Sequence, residues 1–249
     1  MRTGWAGPTR LLSLLALLLV WEAAARMAHS RALPTASAVF AELVRQTASG
    51  VLPENLAITL GRVAAAFALS MLLGSALGLA MGRWRQLDLL LDAWLTALLN
   101  LPAVVLIVLI YIWFGLNEFS AVAAVTLNKL PNTAVTVREG TRALDRELLE
   151  MAHSFRMPGP TVLRHVVLPQ LAPYLFAAAR SGLALIWKIV LVVELLGCSS
   201  GVGFQIQVFF QLFDVTAILA YTLAFLLVMQ AIEWAALQPL ERRTLRWRR

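Results

Sequence analysis

The chain has 249 residues, of which 60% are hydrophobic and only 14% charged, where an ordinary soluble domain carries about 25% charged residues. Its 21 basic residues outnumber 14 acidic ones, for a formal charge of +7. So little charge excludes a water-solvated sphere, a disordered chain and a basic nucleic-acid-binding domain, and requires lipid around much of the surface.

A bilayer core of ~30 Å needs about 20 mostly apolar helical residues. Taken in chain order, the charge-poor stretches predict spans at 11–28, 56–82, 89–114, 119–137, 173–196 and 215–237. The first fits a retained anchor, and its Leu-rich run between Arg10 and Ala23 also fits a signal peptide. Five later spans leave no soluble domain to export, which favours the anchor. Short loops rich in Lys and Arg stay cytoplasmic. With the N-terminus inside, the cytoplasmic segments hold Arg2 and Arg10; Arg83 and Arg85; Arg138, Arg142, Arg146, Arg156 and Arg164; and Arg242, Arg243, Arg246, Arg248 and Arg249. These are 14 of the 21 basic residues, against Arg26, Arg31 and Arg45 outside. The expected class is therefore an all-α polytopic membrane protein with six spans and both termini cytoplasmic.

Within the second span, Gly74, Gly78 and Gly82 recur every fourth residue, with Ser70 one step earlier. That spacing makes a shallow groove for close approach of another helix. Pro102 is expected to kink the third span and Pro131 the fourth, and two broken helices would point to a central pathway. Charges inside spans are costly and suggest function. Arg62, Lys129, Arg180, Lys188 and Glu194 are such charges. Arg180, Trp187 and Glu194 repeat every seven residues and share a helical stripe. Lys129 and Lys188, the two lysines of the chain, suit contact with an anionic solute, and Lys188 could instead neutralise Glu194 or another acid within the bundle. Lys129, Trp187, Lys188 and Glu194 are thus the expected pathway residues.

The loop 138–172 is too patterned to be slack. From Asp145 to Phe155, Leu148, Leu149, Met151, Ala152 and Phe155 fall mainly on one side of a helix and Arg146, Glu147, Glu150 and His153 largely on the other. Met157–Pro160 breaks it, and a short helix from Thr161 to Val167 follows, ended by Leu168-Pro169. The apolar stripe packs either on the chain's own helix ends or on a partner. Residues 197–214, Gly-rich and then Gln/Phe-rich, suit an external gate or a surface for another protein, with Ser200, Gly201, Gly203 and Phe204 as its candidates; an interfacial helix without a partner is the alternative.

Glu150-Met151-Ala152, with Pro169 nineteen residues after Glu150, resembles the EAA loop of permease subunits of binding-protein-dependent ABC importers. The likeness covers nearly the whole chain. Leu33-Pro34-Thr35 resembles that family's LPSP, Arg62-Val63 its SLxRV, Trp113-Phe114-Gly115 its WFG, and Glu139-Gly140-Thr141-Arg142 with Asp145 its GVRxVD. Trp187 and Glu194-Leu195-Leu196-Gly197 resemble its W…E(M/L)LG, Ser199-Ser200-Gly201-Val202-Gly203 its SSGLG, and Glu241-Arg242-Arg243 with Trp247 its ERR…W tail. Two positions depart from the pattern: Met151 stands at the second alanine and Arg156 at the usual glycine.

The resemblance, to the nitrate, sulfonate, taurine and bicarbonate branch, implies a type I ABC importer permease fold, with residues 1–55 as an N-terminal helix and external segment and 56–249 as the core. It implies a homodimer in the bacterial inner membrane, served by a periplasmic or lipoprotein binding protein. Glu147, Leu148, Glu150, Met151, Ala152, Phe155, Arg156, Pro158 and Gly159 would seat on two ATPase subunits, which bind the ATP and Mg. No Walker A glycine-rich turn precedes Lys129 or Lys188, so any nucleotide belongs to a partner. His29, His153 and His165 lack metal-ligand spacing, and Cys198 has no neighbouring His or acid in sequence, which disfavours an intramembrane enzyme. A passive channel gives no reason for the patterned loop. A non-anionic cargo, such as a pyrimidine precursor, is the alternative within the family.

Overall fold

The structure, a computed structural model, describes residues 6–237. Arg2, the side chain of Arg10 and the tail motif Glu241-Arg242-Arg243 with Trp247 lie outside the described residues. The elements are α1 (Ala6–Ala28), α2 (Ala36–Ala48), α3 (Val51–Arg83), α4 (Arg85–Asn100), α5 (Ala103–Phe114), α6 (Glu118–Arg142), α7 (Arg146–Ser154), α8 (Gly159–Val162), a π-helical turn (Leu163–Val167), α9 (Leu168–Gly197), α10 (Val202–Gln211) and α11 (Val215–Ile232). The all-α expectation holds among the described residues. By length and composition, three helical runs can cross a membrane: Val51–Arg83, Gly159–Gly197 and Val215–Ala235. A fourth is added if α4 and α5, bent by 103° at Leu101-Pro102, count as one.

The predicted fourth span, α6, is not among these runs. α6 is a continuous 25-residue helix, but Ser120, Thr126, Lys129 and Thr133 are buried in it. Packed against α3 and α9, it does not need an apolar surface all round. The glycine groove on α3 is what lets α6 in. A Cβ on Gly74 would stand 2.7 Å from Thr133 Cβ, one on Gly78 2.9 Å from Val137 Cβ, and one on Gly82 2.7 Å from Thr141 Cγ2. The main core, with Ala66, Ile107, Ala124, Ile186, Val190 and Tyr221 fully enclosed, lies where α3, α5, α6, α9 and α11 meet.

The prolines behave unequally. Pro102 does more than kink its span: it caps α5 and turns the chain through 103°. Pro131 does not break α6, because helices on two sides hold it straight through the missing bond. Leu168-Pro169 does not end a helix either. The preceding turn widens to π geometry, with Leu168 N–H donating to Leu163 O; this relieves the ring clash that an α-turn would impose, and the helix runs for 39 residues from Gly159 to Gly197.

The segment 29–55 holds a further helix. Thr35 of the Leu33-Pro34-Thr35 motif caps α2 by accepting from Ala38 N–H, Trp21 Nε1 donates to Pro34 O at 3.0 Å, and Ser37 N–H and Oγ–H donate to Glu22. α2 then packs on α11, and residues 51–55 already belong to α3.

Candidate functional site

Three buried polar residues in the first half of α3, Asn55, Thr59 and Arg62, are spaced by four and three and share one stripe. The stripe meets the last turn of α9 and the loop after it. Glu194 is fully enclosed there and Arg62 is 5% exposed. Arg62 Nη1 donates to Glu194 Oε1 at 2.8 Å and to Ser200 O at 2.7 Å; Nη2 donates to Ser200 Oγ at 2.9 Å and to Glu118 Oε1; Nε donates to Glu118 Oε2 at 2.8 Å. All five guanidinium protons are therefore placed. Glu194 Oε2 accepts from Thr59 Oγ1 at 3.0 Å and from Gly203 N–H at 2.9 Å, and Gly201 N–H donates to Asn55 Oδ1 at 2.7 Å.

The glycines of the loop are required by this cage. Gly201 has φ +103°, and a Cβ there would stand 2.6 Å from Glu194 Oε2. A Cβ on Gly203 would stand 2.7 Å from Glu194 Cβ. Three sequence motifs, Arg62-Val63, Glu194-Leu195-Leu196-Gly197 and Ser199–Gly203, are thus parts of one lock. Phe204, half-buried, lies in the first turn of α10 beyond it.

Glu194 is paired with Arg62, so the alternative in which Lys188 neutralises it does not hold. Trp187 is buried edge-on against Phe225, with ring centroids 5.7 Å apart. Of the four expected pathway residues, Trp187 and Glu194 sit in the core, Lys188 is exposed and Lys129 is 1% exposed. Lys129 Nζ donates to Asn132 Oδ1 at 2.8 Å and to Ser181 Oγ at 3.4 Å. Gly182 leaves room for its stem, since a Cβ there would stand 2.7 Å from Lys129 Cε. No carboxylate among the described residues pairs with Lys129 or Lys188. Of the two partners of the Lys129 ammonium, Ser181 is exposed and Asn132 half-buried. Lys188 lies seven residues from Ser181 on the same stripe of α9.

At the other end of α9, α7 starts with Asp145 accepting from Glu147 N–H at 2.9 Å. Leu148, Met151, Phe155 and Met157 are exposed, and only Ala152 of the predicted stripe is buried. Glu147, Glu150, Arg156, Pro158 and Gly159 are exposed around it. The helix ends in a Schellman closure: Met157 N–H donates to Ala152 O at 3.0 Å and Arg156 N–H to His153 O at 2.9 Å. Arg156 has φ +51°, the left-handed conformation that a glycine adopts freely and a side chain resists.

Beside α7, Arg138 and Arg142 of α6 grip Asp88 and Asp92 of α4: Arg138 Nη1 meets Asp88 Oδ1 at 3.1 Å and also Asp92, and Arg142 meets Asp88. The Asp92 and Asp88 carboxylates hold the Arg138 guanidinium above its ordinary range against the opposing effect of burial. Sequence reasoning did not bring Asn55, Thr59, Glu118, Asp88 or Asp92 into the sites. Their signal is the helical spacing of polar residues, 55-59-62 on α3 and 88-92 facing 138-142.

A family model described as "Binding-protein-dependent transport system inner membrane component" matches residues 70–236. The chain is 31% identical, over 92% of its length and 87% of the relative's, to an Escherichia coli protein named as an aliphatic sulfonates transport permease, SsuC. It is 30% identical, over 94% of its length and 88% of the relative's, to the riboflavin transport system permease protein RibX of Chloroflexus aurantiacus. Among solved structures, the MetNI methionine ABC transporter in inward-facing conformations shares the fold, with a TM-score of 0.61 at 18% identity, over 77% of this chain and 97% of that one.

Proposed function

The chain belongs to the family of binding-protein-dependent transport system inner membrane components, the permease subunits of ABC importers, and from that premise we propose that it forms the pathway for a small oxyanion, of the sulfonate class, across the bacterial inner membrane. Two relatives of almost equal identity are named for an aliphatic sulfonate and for riboflavin, so likeness alone does not choose the cargo. The observation that supports an anionic cargo is Lys129, a buried ammonium for which no described carboxylate compensates. Burying a charge without a partner is costly, and an anion passing the Asn132–Ser181 face would supply the counter-charge. Lys188, on the same stripe of α9, raises the local anion concentration.

The reading places two copies side by side, each crossing the membrane six times with both termini cytoplasmic. The exposed Leu148, Met151 and Phe155 of α7 seat on one of two ATPase subunits, which carry the nucleotide, magnesium and hydrolysis. A solute-binding protein docks at the opposite face near Ser200, Gly201, Gly203 and Phe204. The chain itself performs no bond chemistry; it moves between outward-open and inward-open states that differ in affinity for the cargo. The test is uptake by the assembled transporter carrying Lys129→Met, in which transport of an alkanesulfonate falls at least about tenfold while the ATPase still co-purifies. Full transport with intact assembly refutes the anion reading, and failure of the parent chain to retain any ATPase refutes the permease reading.

A further inference from the structure

The Arg62 cage holds one cation and two carboxylates, and the two carboxylates are not equivalent. Glu194 is wholly enclosed, whereas the Glu118 side chain is 69% exposed. Glu194 alone compensates the charge of Arg62, and with Ser200 O and Ser200 Oγ it holds three of the five guanidinium protons. The remaining two, on Nε and Nη2, form a side-on fork occupied by Glu118. Glu118 is surplus to charge balance, faces outward from the first turn of α6 and has no other partner among the described residues. Ser200 Oγ accepts from Nη2, and its own proton has no acceptor among the described residues.

We propose that the Arg62 fork and the Ser200 hydroxyl form an oxyanion-receiving site at the end of the bundle opposite α7, closed in this structure by Glu118 acting as the chain's own stand-in ligand. A sulfonate or carboxylate takes the place of Glu118 with the charge count unchanged. Two of its oxygens accept from Nε and Nη2 in the bidentate geometry that arginine offers to planar and trigonal oxyanions. The third oxygen of a sulfonate accepts from Ser200 Oγ–H. Displacement breaks the Glu118–Arg62 tie between the first turn of α6 and α3, so arrival of cargo at this end is coupled to release of that contact. The inference rests on the oxyanion reading above but concerns a different set of residues from the Lys129 face.

The probe is methanesulfonate, titrated as its choline salt against choline chloride onto the purified full chain in lipid nanodiscs. Glu118→Ala opens the fork, and binding tightens about tenfold over the parent. Adding Arg62→Lys, which keeps the charge and loses the fork, removes the gain. Should that variant unfold, Ser200→Ala in the Glu118→Ala chain serves instead, because it leaves the Arg62–Glu194 pair in place, and it weakens binding about threefold or more. Equal affinity of the Glu118→Ala chain and its parent overturns the proposal, as does a gain that survives both second substitutions. Lys129→Met in the Glu118→Ala chain leaves the gain intact; a gain lost there places the anion at Lys129 and overturns the Arg62 site while the oxyanion reading stands.

Discussion

Substituting alanine for Gly78 and for Gly61 applies the same chemical change twice to one helix, and the structure assigns the two opposite signs. At Gly61 a Cβ meets nothing within 4 Å, so Gly61→Ala gains only helix propensity, worth about 0.5–1 kcal/mol. At Gly78 a Cβ falls inside contact distance of Ala134 O, 2.9 Å from Val137 Cβ and 3.0 Å from Arg138 N. Two of those three atoms are backbone, so no rotamer change relieves the clash and α6 must retreat from α3. Overpacking a close interface costs about 1–3 kcal/mol. The propensity gain is common to both variants and cancels in their difference, which leaves Gly78→Ala about 1–3 kcal/mol less stable than Gly61→Ala. Denaturant-induced unfolding of the two variants in the same detergent, followed by tryptophan emission, measures that difference. Equal stabilities, or Gly78→Ala the more stable, would refute the groove-and-helix account of the α3–α6 contact.

Arg156→Gly removes the left-handed strain at the end of α7 while preserving both Schellman bonds. Relief of about 1–2 kcal/mol, less the entropy glycine loses on folding, leaves about 0.5–1 kcal/mol. Hydrogen exchange at the Arg156-position and Met157 amides slows about two- to fivefold, whereas Arg156→Ala, which keeps the strain, gives no slowing. Removing one partner of the enclosed ion pair, by Glu194→Gln or Arg62→Met, costs about 3–5 kcal/mol in unfolding experiments. The double variant costs clearly less than the sum of the two, and strict additivity counts against a direct Arg62–Glu194 interaction.

The parts legible in the sequence were those whose physics is local. The four-residue repeat Gly74-Gly78-Gly82 required only a partner helix, and α6 is that partner. The stripe Leu148-Met151-Phe155 required only helical spacing, and it is left open on α7. What could not be read was set by tertiary context. Pro131 and Pro169 are ordinary helix breakers in sequence; α6 stays whole because α3 and α9 hold it, and a π turn carries the chain past Pro169. The lysine alternative for Glu194 failed because distance along α9 is no guide to what approaches from α3. Lys188 is six residues from Glu194 and does not pair with it, while Arg62, 132 residues away, does.

In the permease reading, mechanical coupling would use the continuity that the proline signal concealed. From Gly159 at the break after α7 to Gly197 beyond Glu194, the chain is one helical run of 39 residues, about 58 Å long. Its base carries the π turn, where fewer backbone bonds constrain a bend. Near its far end Glu194 fixes Arg62, Thr59 and the loop through Gly203. Between them Ser181 and Gly182 pack on Lys129. α7 packs on the π turn at the base of this run, and a helix resists compression, so in the permease reading a shift imposed on α7 passes by that contact along the run to Lys129 and Glu194, bypassing the loop 155–158. The proposed anion face and the Arg62 lock therefore answer to one element, which gives force applied at one membrane face a physical route to the other.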